Sequence, residues 1–251
     1  MGTLVQNLDS WSHYDWSQGG DEWSACWGGT DYLWTGTILP RIRAFLPTDT
    51  ILELAPGFGR ITQYLKDNCR HLIAVDLVER CIAACKSRFA SSSHIEYHVN
   101  DGKSLPMIAD GSIDFLISWD SMVHAESNVM KAYIDEFARI LKPEGFGFIH
   151  HSNIGHYFLD KKEKVKNPHW RAESMSARLF AKYCDDAGLQ CVSQELIGWG
   201  DTIHNDCFSL FTRNHSPYAR PNQVFANENF MYEAGRLLQI ANFYNPTNFK
   251  K

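Results

Sequence analysis

The chain has 251 residues, 44% of them hydrophobic and 21% charged. That balance excludes a largely disordered chain and is enough to bury a core without disulfides or metal. Lys and Arg number 24 against 29 Asp and Glu, a formal charge of −5, which disfavours nucleic acid as a partner.

No apolar run is long enough to span a bilayer, and the opening MGTLVQNLDSWSHYDWS lacks the basic start and apolar stretch of a signal peptide. Seven cysteines without a CxxC pair support neither a zinc ribbon nor a thioredoxin motif. The expected location is a reducing cytoplasm.

In chain order, Trp11, Trp16, Trp23, Trp27 and Trp34 crowd the first segment, interleaved with Gly19, Gly20, Gly28 and Gly29. Residues 9–36 therefore read as an irregular aromatic cap, whose rings are expected to pack on the domain more than to wall a ligand pocket. Regular elements follow from about residue 50. The run Ile51–Leu54, bounded by Pro56 and Gly57, is a buried strand, and 60–68 reads helical. Strands are predicted at 71–75, 95–99, 113–118 and 146–149, with helices at 78–89 and 126–141, the second stopped by Pro143 and Gly145. A helix over 175–186, strands over 190–197 and 207–212 joined as a hairpin, and a helix over 226–241 after the Pro217–Pro221 linker complete the chain. The basic stretch from Lys161 to Lys166 has no apolar face and reads as a solvated loop or helix edge, ahead of a lid over the site. Strand and helix alternation implies an α/β fold: a mostly parallel, seven-stranded sheet with helices on both faces and its last strand antiparallel.

The chemistry gathers at the strand ends. In ILELAPGFGR, Glu53 closes the first strand, and Gly57 and Gly59 let the backbone turn tightly beside a ligand at a helix N-terminus. Asp76 ends the second strand, where it can accept from both hydroxyls of a ribose. Asn100-Asp101-Gly102 ends the third. Taken singly, Asp76 is equally a helix N-cap and Asp101 a turn former. The phosphate-cradling GxGxxG is missing, which separates this pattern from dinucleotide binders.

The ordered set ELAPGFGR, VD, NDG, SIDFLISWDSMVH and RILKPEG resembles the class I S-adenosylmethionine-dependent methyltransferases. The resemblance implies a Rossmann-like methyltransferase domain over 45–215, preceded by the cap (1–44) and followed by a linker and helix (216–251). It lays Ala55 to Gly59 along the methionine part of S-adenosylmethionine, Asp76 on the ribose, Asp101 and Gly102 beside adenine, and Ser118, Trp119 and Asp120 beside the sulfonium. Ala55 replaces the first glycine of the usual turn, a small cost provided its φ stays negative.

Asp120, His124, His150, His151 and Asp206 converge at the same rim. A sugar hydroxyl is a very weak acid and needs a base or a metal-bound alkoxide. His151 is the favoured general base, with His150 and His124 as competitors and Asp120 orienting the base or the substrate. The alternatives are histidines that satisfy loop backbone groups and an Asp120 that caps a helix. A second version adds a divalent cation such as magnesium on Asp120, a histidine at 150 or 151, and Asp206.

The FGFIHHSN string with the Trp-rich cap further resembles bacterial O-methyltransferases of mannose-containing polysaccharides, which implies a sugar or oligosaccharide acceptor. Methylation of another small nucleophile (a phenol, an amine or a carboxylate) is the alternative, ahead of a non-catalytic adenosyl-ligand module and a nicotinamide dehydrogenase. Whether the C-terminal helix pairs two copies into a homodimer is left open.

Overall fold

The computed structural model describes residues 3–162 and 164–245. Eight strands form one sheet in the order β3-β2-β1-β4-β5-β7-β6-β8: β1 (Thr48–Leu54), β2 (Cys69–Asp76), β3 (Ile95–Val99), β4 (Ile113–Ser118), β5 (Leu141–Ser152), β6 (Leu189–Ile197), β7 (Asp206–Arg213) and β8 (Gln223–Asn227). Only β7 runs antiparallel to its neighbours, β5 and β6. The α/β class and the antiparallel β7 are as expected. The eighth strand is an addition: residues 223–227 pair parallel to β6 at the sheet edge. Four of its five residues are exposed, so it carries no apolar alternation that a sequence pattern could register.

The helices are α1 (Leu4–His13), α2 (Thr30–Leu33), α3 (Leu39–Ile42), α4 (Thr62–Leu65), α5 (Glu79–Arg88), α6 (Ser127–Ile140), α7 (Ala177–Asp186) and α8 (Phe230–Phe243). A π-helical turn, Trp34–Ile38, joins α2 to α3. The helix expected over 60–68 shrinks to α4 and one 3-10 turn, because β2 starts at Cys69 to pair with Thr48. Pro143 and Gly145 do not simply end α6. They lie inside β5, in a bulge where Leu141 faces Ile113 and Phe146 faces Phe115.

One face of the sheet packs α6 and α7 through Ile134, Phe137, Phe180 and Phe211. The other packs the N-terminal segment, α5 and α8 through Trp27, Trp34, Ile38, Phe148, Phe208 and Phe230. Trp27 is fully buried and donates to Thr37 Oγ1 at 2.8 Å. The described part of the basic stretch, Lys161, Lys162, Lys164 and Lys166, is exposed as expected. Residues 246–251 of the C-terminal segment lie outside the described residues. The strand order reverses between β1 and β4, and ligands of open α/β sheets lie outside the carboxyl ends of the strands at such a point.

Candidate active site

A cavity of about 980 Å³, open mouth included, lies outside the ends of β1, β2 and β4. Glu53, Ala55, Gly57, Asp76, Gly102, Trp119 and Asp120, all candidate site residues from the sequence, are among those that line it. Asp76 joins two of the walls. Its Oδ2 accepts the Gly57 N–H at 3.1 Å and its Oδ1 the Val78 N–H at 2.8 Å. Burial pushes its pKa up to about 6 against the pull of those amides. Burial likewise raises Glu53 to about 7, although the Thr62 hydroxyl donates to it at 2.6 Å.

Two carboxylates held this far up are short of positive charge. Among the described lining residues the cation is Arg60, and it is committed to Asp120 at 2.9 Å and to Ser24 Oγ at 3.0 Å. A ligand that brings a sulfonium, an ammonium and ribose hydroxyls matches this donor deficit. Gly102 adds a shape requirement, since a Cβ there would lie 2.8 Å from Leu4 Cδ2 and 3.0 Å from Leu77 Cδ1.

Other expected site residues depart in place or in conformation. Asp101 is exposed, and its Oδ1 accepts the backbone N–H of Lys103 and Ser104, so it is the turn former and Gly102 alone reaches the cavity. Ala55 has φ +60°, not the negative value expected. Its N–H donates to Val75 O at 2.7 Å and its carbonyl accepts from Ser121 Oγ, which together fix the peptide in that conformation. Gly59 is absent from the cavity wall. Its φ is +85°, and a Cβ would lie 2.5 Å from Phe89 of the α5 layer, so it serves close packing. Ser118 is buried inside β4.

None of the three histidines lines the cavity. Successive residues of a strand face opposite sides of a sheet, so His150 and His151 part company. His151 points to the α7 layer, stacked on Phe180 at 4.3 Å, with Nδ1 donating to Ser152 O and Nε2 on Ser209 Oγ. Complete burial lowers its pKa to about 4. It corrects the expectation of a general base: both nitrogens are occupied on the far side of the sheet.

His150 faces the cavity side but is sealed behind Trp119 and Trp199, with Nδ1 on the Asp120 N–H and Nε2 on Asp206. His124 donates from Nδ1 to Trp170 O at 3.0 Å and packs against Trp11, and burial lowers its pKa to about 4. The expected metal set is not assembled. Asp120 is paired with Arg60, Asp206 with Arg171 and His150, and His151 lies across the sheet.

Several lining residues were expected to pack on the domain or were not singled out from the sequence. Trp11, Trp16 and Trp23 of the cap line the cavity, while Trp27 and Trp34 are core. Trp16 stacks on Phe58 at 4.7 Å, and Arg60 lies 5.4 Å over Trp23. Leu4 and Asn7 bring α1 into the wall, and Val129 and Tyr133 do so for α6. Arg60 carried a readable signal, since a cation at a helix N-terminus opposes the helix dipole and asks for a partner. Asn7 carried none, because nothing local places α1 over the site.

The switch-point cavity, the paired strand-end carboxylates and the glycine turn sit on a Rossmann-like methyltransferase fold. Comparison agrees: residues 51–145 match a family model described as "Methyltransferase domain". The chain is similar to phosphoethanolamine N-methyltransferase 1 of Triticum aestivum, 29% identical over 70% of this chain and 35% of that protein. It is also similar to the demethylmenaquinone methyltransferase of Clavibacter sepedonicus, 29% identical over 47% of this chain and 46% of the other. The chain thus spans about a third of the wheat relative's length and under half of the other's.

Among solved structures, a methyltransferase from Leishmania major superposes with TM-score 0.62 at 12% identity, covering 83% of this chain and 82% of its own. One from Clostridium acetobutylicum gives 0.57 at 16% identity, covering 72% and 90%. These two speak to the fold. The sugar-methylating subfamily expected from FGFIHHSN gains no support from these relatives, whose names point to an amine and a quinone.

Proposed function

We propose that the chain transfers the methyl group of S-adenosylmethionine to a small amine. The observation that carries this reading is the wall of the cavity: indole rings and carboxylates, with no histidine among its described lining residues and its Arg60 already paired. When bound, S-adenosylmethionine supplies an electrophilic methyl on a good leaving group. The protein then has to hold, align and dry the reactants. Asp76 holds the ribose hydroxyls. Trp11, Trp16 and Trp23 close the cavity against water.

A sugar hydroxyl needs a strong base, whereas an amine is nucleophilic once its ammonium sheds a proton to water or a carboxylate. Indole faces and carboxylates also favour a cationic acceptor. The name of the wheat relative supports an amine as well. Its phosphate is a poorer match, since Glu53, Asp76 and Asp120 would repel it and Arg60 is committed.

The sugar hydroxyl remains as a second reading on the strength of the three tryptophans, because sugar CH faces pack on indole. Labelled S-adenosylmethionine offered with ethanolamine, phosphoethanolamine, mannose and a phenol separates them. Label is expected on ethanolamine ahead of phosphoethanolamine. Label on mannose alone would replace the amine with the sugar, and cofactor binding with no labelled product would remove the catalytic reading.

A further inference from the structure

We propose that His150 is a positioning residue that holds Asp120 in place through a buried relay reaching Arg171. This deepens the preceding reading and rests on Asp120 lining that cavity and meeting the acceptor there. Asp120 has φ +58°, a left-handed conformation that costs a non-glycine residue of order 1 kcal/mol and persists only when its surroundings fix it. Two contacts do so. Arg60 takes the carboxylate, and the Asp120 N–H donates to His150 Nδ1 at 3.1 Å.

Because Nδ1 accepts, the ring carries its proton on Nε2, which donates to Asp206 Oδ2 at 3.1 Å. Asp206 is in turn gripped by the Arg171 fork, with Nε at 3.0 and 3.1 Å from the two oxygens and Nη2 at 2.7 Å. All three side chains are buried. The fork sets the carboxylate, the carboxylate sets the tautomer, and the tautomer leaves a lone pair for the Asp120 amide.

The same segment holds the far end of the loop after β4. Trp170 O accepts from His124 Nδ1, and the Ala172 N–H donates to Val123 O at 2.8 Å. Loss of the relay would free Asp120 to leave its left-handed conformation and carry its carboxylate off the acceptor. No proton moves along the chain in this scheme.

Two substitutions of opposite reach test it. Asparagine places an amide oxygen near the imidazole Nδ1 position, and glutamine places its amide near Nε2. His150→Asn therefore keeps the bond to the Asp120 amide, and His150→Gln keeps the one to Asp206. Turnover with ethanolamine is expected to fall roughly 10²-fold in His150→Gln and within about tenfold in His150→Asn. Cofactor affinity by calorimetry should stay within about threefold in both.

Amide exchange at Asp120 should run roughly tenfold faster in His150→Gln than in wild type and stay slow in His150→Asn. A purely structural histidine would harm both variants alike and slow turnover in step with lost melting temperature. That result overturns the proposal. If neither variant folds, ¹⁵N-labelled wild-type protein decides: a through-hydrogen-bond coupling between the Asp120 amide nitrogen and His150 Nδ1 is expected, and its absence is fatal. The exchange and coupling readouts need no acceptor. A failure of ethanolamine as substrate is therefore distinguishable from a failure of the relay.

Discussion

Two neighbouring histidines, one residue apart on β5, end in different halves of the molecule because the strand turns alternate side chains to opposite faces. His151 is cut off from the cavity by the sheet itself. His151→Gln is therefore expected to keep turnover within about threefold in whatever fraction folds. A loss of 10²–10⁴ would restore it as the base. The residue matters for stability instead. Its pKa is depressed to about 4, so its contribution is present above the unfolded value near 6.5 and is lost as pH falls toward 4. That contribution is about 3 kcal/mol at full extent. Melting temperature followed from pH 7 to 5 should drop less steeply in His151→Gln than in wild type; an equal slope would refute the assignment.

At Asp76 the expectation is the opposite one. Removing a carboxylate that bridges the Gly57 and Val78 amides, as in Asp76→Ala, should weaken cofactor binding by roughly 1–3 kcal/mol. Unchanged affinity by calorimetry would break the assignment of this cavity.

Among elements, α1 contributes what no strand does: a cover. Thr3 and Gln6 form a capping box at its start. Leu4 reaches over Gly102, Asn7 donates from Nδ2 to His124 O at 3.1 Å, and Trp11 lines the cavity and packs on His124. Asn7 is the one buried residue of α1, and its bond joins the half-buried packing of Leu4 and Trp11 in holding the helix down. Asn7→Ala should loosen the cover and weaken cofactor binding roughly tenfold, the scale of one buried hydrogen bond, with little change in melting temperature. Protease cleavage within residues 4–13 should quicken in the same variant. A variant as resistant and as tight as wild type would show that α1 is packing only.

β1, β2 and β4 were legible because they are short apolar runs, which a parallel sheet buries on both faces, whereas the edge strand β3 shows only the alternation of Ile95, Tyr97 and Val99 with polar residues. The tryptophan-rich segment was legible from composition, but not that it is largely helical: Trp11 lies in α1, and Trp23 and Trp27 lie in a 3-10 helix over Asp21–Trp27. Which tryptophans meet the cavity was not legible either, because Trp23 and Trp27 lie one helical turn apart yet belong to the cavity wall and to the core respectively.

For the whole molecule, charge placement predicts how cofactor and pH are linked. Glu53 and Asp76, raised to about 7 and 6 by burial, contribute stability in acid that is lost as pH rises through those values. His124 and His151, lowered to about 4, act in the reverse sense below 6.5. A cationic cofactor relieves the two carboxylates. Its stabilisation should therefore be larger at pH 8, where both are ionised, than at pH 5.5. Melting temperature with and without saturating S-adenosylmethionine at the two pH values measures this, and a larger shift at pH 5.5 would contradict it. No helix among the described residues is long and apolar enough to cross a membrane.

The sequence by itself determined the alternating architecture, the glycine turn and the two acids that close β1 and β2, because these depend on local periodicity and on what a strand end can expose. Only the tertiary structure decided which polar groups meet. Asp101 turned outward into its own loop, His150 and His151 fell on opposite sides of the sheet, and Arg171 found Asp206 across 35 positions. A side chain's partner is set by the packing of elements far apart in the chain. Residue type and spacing fix the chemistry a group could perform; the packed fold chooses whom it touches.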